Sequence, residues 1–127
     1  LAIIKRMVRD LNFDIEIVGC PIVREEDGLA KSSRNTYLSP EERKAALILS
    51  KTVALGKELA KTEKDANKVV EAMKKNIETE PLAKIDYVEA VDALSMAPVE
   101  KLEGTCMLAM AVYIGKTRLI DNTLINE

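Results

Sequence analysis

Residues 27–35 of this chain combine side chains that hydrogen-bond to phosphate oxygens with a turn that can present them. The segment reads Asp-Gly-Leu-Ala-Lys-Ser-Ser-Arg-Asn, so an Asp-Gly turn is followed by a lysine, two adjacent hydroxyls, a guanidinium and an amide. Arg34 offers a planar fork that matches two phosphate oxygens, whereas Lys31 offers a mobile point charge. Each charge-assisted hydrogen bond of this kind contributes about 1.5 to 3 kcal/mol. The segment therefore predicts a binding site for the phosphate groups of a nucleotide.

A run of two serines, an arginine and an asparagine is also common in solvent-exposed turns, and for the motif alone this structural interpretation stays open. The surrounding sequence favours the functional interpretation. Ser39-Pro40-Glu41-Glu42 is a capping box that starts a helix directly after the loop. Residues 21–38 show neither helical nor strand periodicity, and loops of that length in compact domains are usually functional or disordered.

Length, composition and charge limit the function classes. The 127 residues are 47% hydrophobic and 31% charged, which suits one soluble domain with an ordinary apolar core. With 19 basic and 21 acidic residues the net charge is -2, which disfavours nucleic acid and anionic membranes as partners, because both require a surplus of cations. No apolar run is long enough to span a bilayer and nothing resembles a cleavable signal, so we expect a cytoplasmic protein. Cys20 and Cys106 have apolar neighbours and are expected to be buried, unpaired thiols.

Hydrophobic periodicity predicts an α+β fold, in which two helices pack on a small, mainly antiparallel three-stranded sheet. One further helix and one further strand precede this unit. The strand at residues 106–114 is apolar on both faces, which is typical of a central, covered strand. The predicted elements are helices over residues 1–11, 40–60 and 66–81 and strands over residues 14–19, 85–91, 106–114 and 118–121.

The chain resembles the pantoate-beta-alanine ligase family, also called the pantothenate synthetases. The resemblance is specific over residues 19–43, which read Gly-Cys-Pro-Ile-Val-Arg-Glu-Glu-Asp-Gly-Leu-Ala-Lys-Ser-Ser-Arg-Asn-Thr-Tyr-Leu-Ser-Pro-Glu-Glu-Arg. Residues 115–122, Gly-Lys-Thr-Arg-Leu-Ile-Asp-Asn, are similar to the family's C-terminal segment. Because the order of elements between them also agrees, the resemblance covers the whole chain.

The resemblance implies an ATP-dependent acid-amine ligase. In that reaction the pantoate carboxylate attacks the α-phosphate of ATP to give pantoyl adenylate and pyrophosphate, and β-alanine then displaces AMP to give pantothenate. ATP is a substrate, and Mg²⁺ accompanies the nucleotide. No residue of this chain is expected to ligate a metal, and the acidic run Glu25-Glu26-Asp27 is expected to be a solvated turn.

The resemblance also implies roles for individual residues. Ser32, Ser33 and Arg34 would bind the ATP phosphates, as counterparts of the mobile phosphate loop of class I aminoacyl-tRNA synthetases. Val23 would contact the adenine through its backbone. Lys31 occupies a position where the family often carries an apolar residue, so it either donates to a phosphate or faces water.

The family's His-x-Gly-His motif, a Lys-Asp pair and a Gln have no counterpart in these 127 residues, which contain no histidine. We therefore expect residues 1–22 to be the tail of an N-terminal Rossmann-like catalytic domain, contributing its last helix and strand. Residues 23–127 are expected to form a C-terminal lid domain that carries the phosphate loop. Such a chain would hold no catalytic residue and would be inactive alone, because pantoate and β-alanine would bind to the N-terminal domain. The resemblance implies a homodimer for the full-length protein, and the isolated part is expected to be monomeric.

Two other function classes remain open at the level of sequence. The loop could belong to the lid of another nucleotidyltransferase or synthetase, which predicts a basic surface that the net charge disfavours. Alternatively, the chain could be a non-enzymatic interaction domain with a polar loop that contacts a protein. Phosphate binding at residues 32–34 distinguishes a lid from an interaction domain, because only the lid requires it.

Overall fold

An antiparallel three-stranded sheet carries two helices on one face in the computed structural model, which describes residues 1–126. The α+β fold predicted from the sequence is therefore confirmed. In chain order the elements are α1 (Ala2–Asp10), a 3₁₀ helix (Ser33–Tyr37), α2 (Pro40–Ala45), α3 (Leu47–Leu59), α4 (Ala66–Glu78), β1 (Ala83–Asp92), β2 (Cys106–Ile114) and β3 (Thr117–Ile125).

The sheet has the order β1-β2-β3, and both neighbours run antiparallel to the central strand β2. The bounds of β2 are those predicted, and β1 and β3 extend beyond their predicted ranges. The residues by which β1 and β3 exceed their predicted ranges are largely polar, so their sequence does not alternate between apolar and polar types. Their backbones nevertheless pair with β2. Gly115 and Lys116 connect β2 to β3, and Gly115 has a φ of +58°, which the first position of a two-residue hairpin turn requires.

The core lies between one face of the sheet and helices α3 and α4. Alternate residues of β2 are fully buried, as expected for a central strand. Helices α3 and α4 approach closely at Gly56, where an added Cβ would lie 2.6 Å from the Met73 sulfur. The largest buried apolar side chains on α3, α4 and β2 are Leu49 of α3, Val69, Met73 and Ile77 of α4, and Leu108, Met110, Val112 and Ile114 of β2.

The predicted strand over residues 14–19 is wrong. This segment has no ladder with any other part of residues 1–126, and the side chains of Ile15 and Val18 are 60% and 71% exposed. Alternation of residue types satisfies only one condition for a strand, because a backbone partner is also needed. The expectation that Cys20 is buried is also wrong, because this residue is exposed. Cys106 is buried as expected, and both thiols are unpaired.

The predicted helix over residues 40–60 is interrupted at Ala46. The N–H of Leu49 donates to the Ala46 carbonyl at 3.1 Å, three residues earlier, so the junction between α2 and α3 is a tight turn rather than a continuous helix. Ala46 itself is fully buried against the core. Within residues 1–126, no helix combines the length and apolar character needed to cross a membrane.

Ser39 caps α2 as the sequence predicts. Its Oγ accepts from the Glu42 N–H at 3.2 Å, and the Glu42 carboxylate accepts from the Ser39 N–H at 2.8 Å. We expect Ser39→Ala to lower the free energy of unfolding by about 1 kcal/mol, because the first turn loses an acceptor. Ser39→Asp should keep most of that free energy, since a carboxylate also caps. Urea unfolding followed by circular dichroism measures both, and equal stability of the Ala and Asp variants would contradict the prediction.

Candidate functional site

Residues 23–31, called here the 23–31 turn, lead directly into the predicted phosphate-binding residues. Arg24 and Ala30 form an isolated antiparallel bridge, and the Lys31 N–H donates to the Val23 carbonyl at 2.9 Å. Within the stretch that shows no periodicity in the sequence, residues 23–31 therefore form a hydrogen-bonded turn rather than an irregular loop. Its order comes from pairing between residues a few positions apart, which helix and strand periodicities do not detect.

Three contacts hold the 23–31 turn to the rest of the domain. Leu29, which follows the tip of the turn, is only 2% exposed and belongs to the hydrophobic core. Asp27 pairs with Arg43 of α2, with oxygen to Nη2 distances of 2.8 and 3.0 Å. At the base of the turn, Arg24 pairs with Asp121 of β3. The turn is thus fixed to the core, to α2 and to the sheet.

The Arg24–Asp121 pair is bidentate. Arg24 Nη1 donates to Oδ2 of Asp121 at 2.8 Å and Nη2 donates to Oδ1 at 2.9 Å, while Nη1 also donates to the Gly28 carbonyl at 3.0 Å. The Asp121 side chain is completely buried, and its Oδ1 also accepts the Asn122 N–H at 2.8 Å. The hydrogen bonds to Asp121 raise the pKa of Arg24 above its ordinary value. The charge of the buried carboxylate is therefore fully compensated by one planar group.

Residues 31–34 are exposed between two fixed points. Ser32 caps the 3₁₀ helix, because its Oγ accepts the Arg34 N–H at 3.2 Å. Asn35 fixes the far end, donating from Nδ2 to the Ala30 carbonyl at 3.1 Å. The Asn35 Oδ1 atom is buried and has no hydrogen-bond partner within residues 1–126. The local fold therefore presents Lys31, Ser32 and Arg34 on a short segment with both ends restrained.

A cleft of about 250 Å³ separates this segment from β3. Of the five predicted ATP-binding residues, Lys31, Ser32 and Arg34 line the cleft, whereas Ser33 and Val23 do not. Val23 is 65% exposed, outside the cleft. The side chain of Lys31 is 59% exposed and its Nζ lies 4.0 Å from Glu25 Oε2. The structure thus places three of the five candidates around one space.

The opposite wall of the cleft is formed by β3, which sequence reasoning did not assign to the site. Arg118 lines it and pairs with Asp86 of β1 at 2.8 Å, with its guanidinium 5.9 Å from the centre of the Tyr87 ring. Asn122 and the buried Asp121 line the same wall. The sequence signal for these residues is the family-like segment 115–122, but that segment carries no motif that indicates a role for any one side chain.

Within residues 1–126, Arg34 differs from the other arginines in having no carboxylate partner. The sequence contains six arginines, and the other five each form an ion pair with an aspartate. Within residues 1–126 Arg34 forms none, although it lies at the mouth of a cleft. An exposed guanidinium with all its donors available is suited to an incoming anion.

Comparisons with known proteins agree with the family resemblance seen in the sequence. A family model for pantoate-beta-alanine ligase matches residues 1–124. The chain belongs to the pantoate-beta-alanine ligase family. The family resemblance noted from residues 19–43 and 115–122 is therefore confirmed, and membership argues against both another nucleotidyltransferase and an unrelated interaction domain.

Individual relatives agree with this assignment. The chain is 64% identical over 123 residues to the pantothenate synthetase of Enterococcus faecalis and 65% identical over 123 residues to that of Clostridium acetobutylicum, covering 96% of this chain in each case. It spans 44% of the length of each of these relatives.

Solved structures of pantothenate synthetases share the fold. The enzyme from Thermus thermophilus superimposes with a TM-score of 0.88 at 38% identity, over 96% of this chain and 44% of the other. The pantoate-beta-alanine ligase of Francisella tularensis, described as a complex with beta-gamma ATP and beta-alanine, gives a TM-score of 0.54 at 28% identity, over 95% of this chain and 38% of the other.

The contact between Asp27 and Arg43 should be visible in the titration of the carboxyl group. The Arg43 guanidinium, helped by the Leu29 N–H, holds the pKa of Asp27 below its ordinary value of 3.8. A lowered pKa means that the pair stabilises the fold above about pH 3.8 and that this contribution is lost as the pH falls through the lower, folded-state pKa. We expect an NMR titration midpoint below 3.8 for Asp27, and a return toward 3.8 in Arg43→Gln.

Asp10 provides the internal control for that titration. Its pKa is lowered by Arg6 and Arg9 on α1, so it should stay low in the Arg43→Gln variant. An Asp27 midpoint that does not move when Arg43 is replaced would show that the turn is not tied to α2 in solution.

Proposed function

We propose that this chain is the C-terminal part of an ATP-dependent ligase that condenses pantoate with β-alanine through pantoyl adenylate, releasing pyrophosphate and AMP. Residues 1–22 would belong to the N-terminal Rossmann-like catalytic domain, and residues 23–127 would form the lid that carries the phosphate-binding segment. Membership of the pantoate-beta-alanine ligase family supports this proposal. So does the chain's coverage of 44% of relatives named pantothenate synthetase.

The observation that carries the proposal is the guanidinium of Arg34, which has no carboxylate partner within residues 1–126. An arginine left without a carboxylate, beside a cleft and among hydroxyls, is suited to bind two oxygens of one phosphate group. The other cations around the cleft are less available, because Arg118 is engaged by Asp86 and Lys31 lies near Glu25. Arg34 is therefore the residue to which we assign the main contact with the phosphates.

The neighbouring serines complement Arg34. The Ser32 Oγ uses a lone pair to accept the Arg34 N–H, so its hydroxyl proton stays available for a phosphate oxygen. Ser33 begins the 3₁₀ helix and, outside the cleft in this conformation, would reach the phosphates only when the lid closes. Lys31 would add a long-range positive charge, and Val23 would contact the adenine through its backbone.

These donors would act on the charge that moves during adenylate formation. When the carboxylate attacks the α-phosphate, negative charge develops on the departing pyrophosphate, and donors already in place stabilise it without reorganising. Closure of the lid would also exclude water, which would otherwise hydrolyse the acyl adenylate. Mg²⁺ would arrive with ATP. Pantoate and β-alanine would bind to the N-terminal part, so we propose that the 127 residues alone make no pantothenate.

Replacement of Arg34 tests the proposal in the full-length enzyme. We expect Arg34→Ala to slow adenylate formation about 10- to 100-fold, the loss of one charge-assisted hydrogen bond, with the fold intact. Single-turnover release of pyrophosphate measures this step. Lys75→Ala, which removes an exposed cation from α4, is the matched control and should leave the rate unchanged. An Arg34→Ala enzyme with the wild-type single-turnover rate would contradict the assignment.

A further inference from the structure

The Arg24–Asp121 ion pair joins the base of the 23–31 turn to β3 at the wall of the cleft. It connects residues that are 97 positions apart in the chain. Arg24 is bridged to Ala30, and the Ala30 carbonyl accepts from Asn35 Nδ2 at 3.1 Å. Both ends of the exposed segment 31–34 are therefore attached to Ala30, which is bridged to Arg24.

Stability alone is a weak reason for such a pair. Replacing a buried ion pair by apolar side chains of similar volume is often neutral or stabilising, because burying two charges costs solvation energy. A bidentate pair differs from an apolar contact in fixing direction as well as distance, since the guanidinium and the carboxylate must be coplanar. Here the Arg24–Asp121 pair fixes the direction of the 23–31 turn, which leads into Arg34.

The pair also controls the charge of the cleft. Asp121 is the one acidic residue among the described residues that line the cleft, and a bare carboxylate there would repel phosphate. Two hydrogen bonds, at 2.8 and 2.9 Å, direct the Arg24 guanidinium at both of its oxygens. The same contact that orients the turn therefore removes the unfavourable charge from the wall facing Arg34.

We propose that Arg24 and Asp121 are positioning residues for the phosphate-binding segment: they hold residues 31–34 in the orientation in which Arg34 meets the nucleotide phosphates. This inference rests on the function proposed above. Neither residue needs to touch ATP, since both act through Arg34. The segment and β3 then move as one unit when the lid closes, because the pair connects them.

A double-mutant cycle in the full-length enzyme tests this role. Asp121→Asn keeps the shape of the side chain but leaves one oxygen instead of two for the guanidinium. We expect it to slow single-turnover adenylate formation about tenfold while the KM for pantoate stays unchanged. In an Arg34→Ala background, Asp121→Asn should have less than about a twofold further effect, because residues that act through one another are not additive.

Two further variants separate positioning from stability. Thr52→Val removes a buried hydrogen bond between α3 and α4, in which Asn76 Nδ2 donates to Thr52 Oγ1 at 2.7 Å, and should lower the thermal midpoint but not the rate. Arg24→Lys keeps the positive charge but loses the planar fork, so its rate should lie between those of the wild type and Asp121→Asn. It also serves if Asp121→Asn does not fold.

The outcomes of the cycle distinguish the two proposals. A normal rate in both Asp121→Asn and Arg24→Lys, or losses that multiply fully with that of Arg34→Ala, would overturn the positioning role and leave the proposed function standing. A normal rate in Arg34→Ala would overturn the proposed function and the positioning role together.

Discussion

The buried pairing of Arg24 with Asp121 is the constraint on which the candidate site depends. Asp121 lies on β3 with its side chain fully buried, so its charge has to be balanced by a partner from within the protein. The partner, Arg24, lies on the 23–31 turn, 97 positions away in the sequence. The pair therefore holds this turn against β3, an edge strand of the sheet. Without that contact, the 23–31 turn would keep only its contacts at Leu29 and Asp27.

The rest of the domain provides a rigid base for this contact. β2 is central and buried, α3 and α4 cover one face of the sheet, and the Leu29 side chain anchors the turn in the same core. The exposed part of the site is consequently short. Residues 31–34 project toward solvent between Ala30 and Asn35, so the donors are presented on a restrained segment rather than on a long flexible loop.

Local patterns in the sequence were sufficient for much of this fold. β2 could be predicted to its end residues because it is apolar on both faces, and the α2 cap could be predicted because Ser39 and Glu42 interact over three residues. The strand at residues 14–19 could not be judged, because a strand also depends on its partner. The ion pair could not be found either, since Arg24 and Asp121 are of types that are usually exposed and no local signal connects them.

The candidate site, like the fold, could be predicted from the sequence only in part. The proposed phosphate-binding role of Ser32 and Arg34 was suggested by their residue types, and both residues are exposed beside a cleft. That Arg34 alone among the arginines of residues 1–126 lacks a carboxylate is a property of the tertiary structure, because the other arginines find partners on other elements or on α1. Arg34 is therefore distinguished by the structure, in which each of the other arginines pairs with an aspartate.

A structure of the full-length enzyme bound to a non-hydrolysable ATP analogue tests the central claim most directly. We expect a closed form in which the Arg34 guanidinium and the Ser32 hydroxyl lie about 3 Å from phosphate oxygens, with the Arg24–Asp121 pair intact. A closed form in which Arg34 lies far from the triphosphate, or pairs with a carboxylate instead, would contradict it.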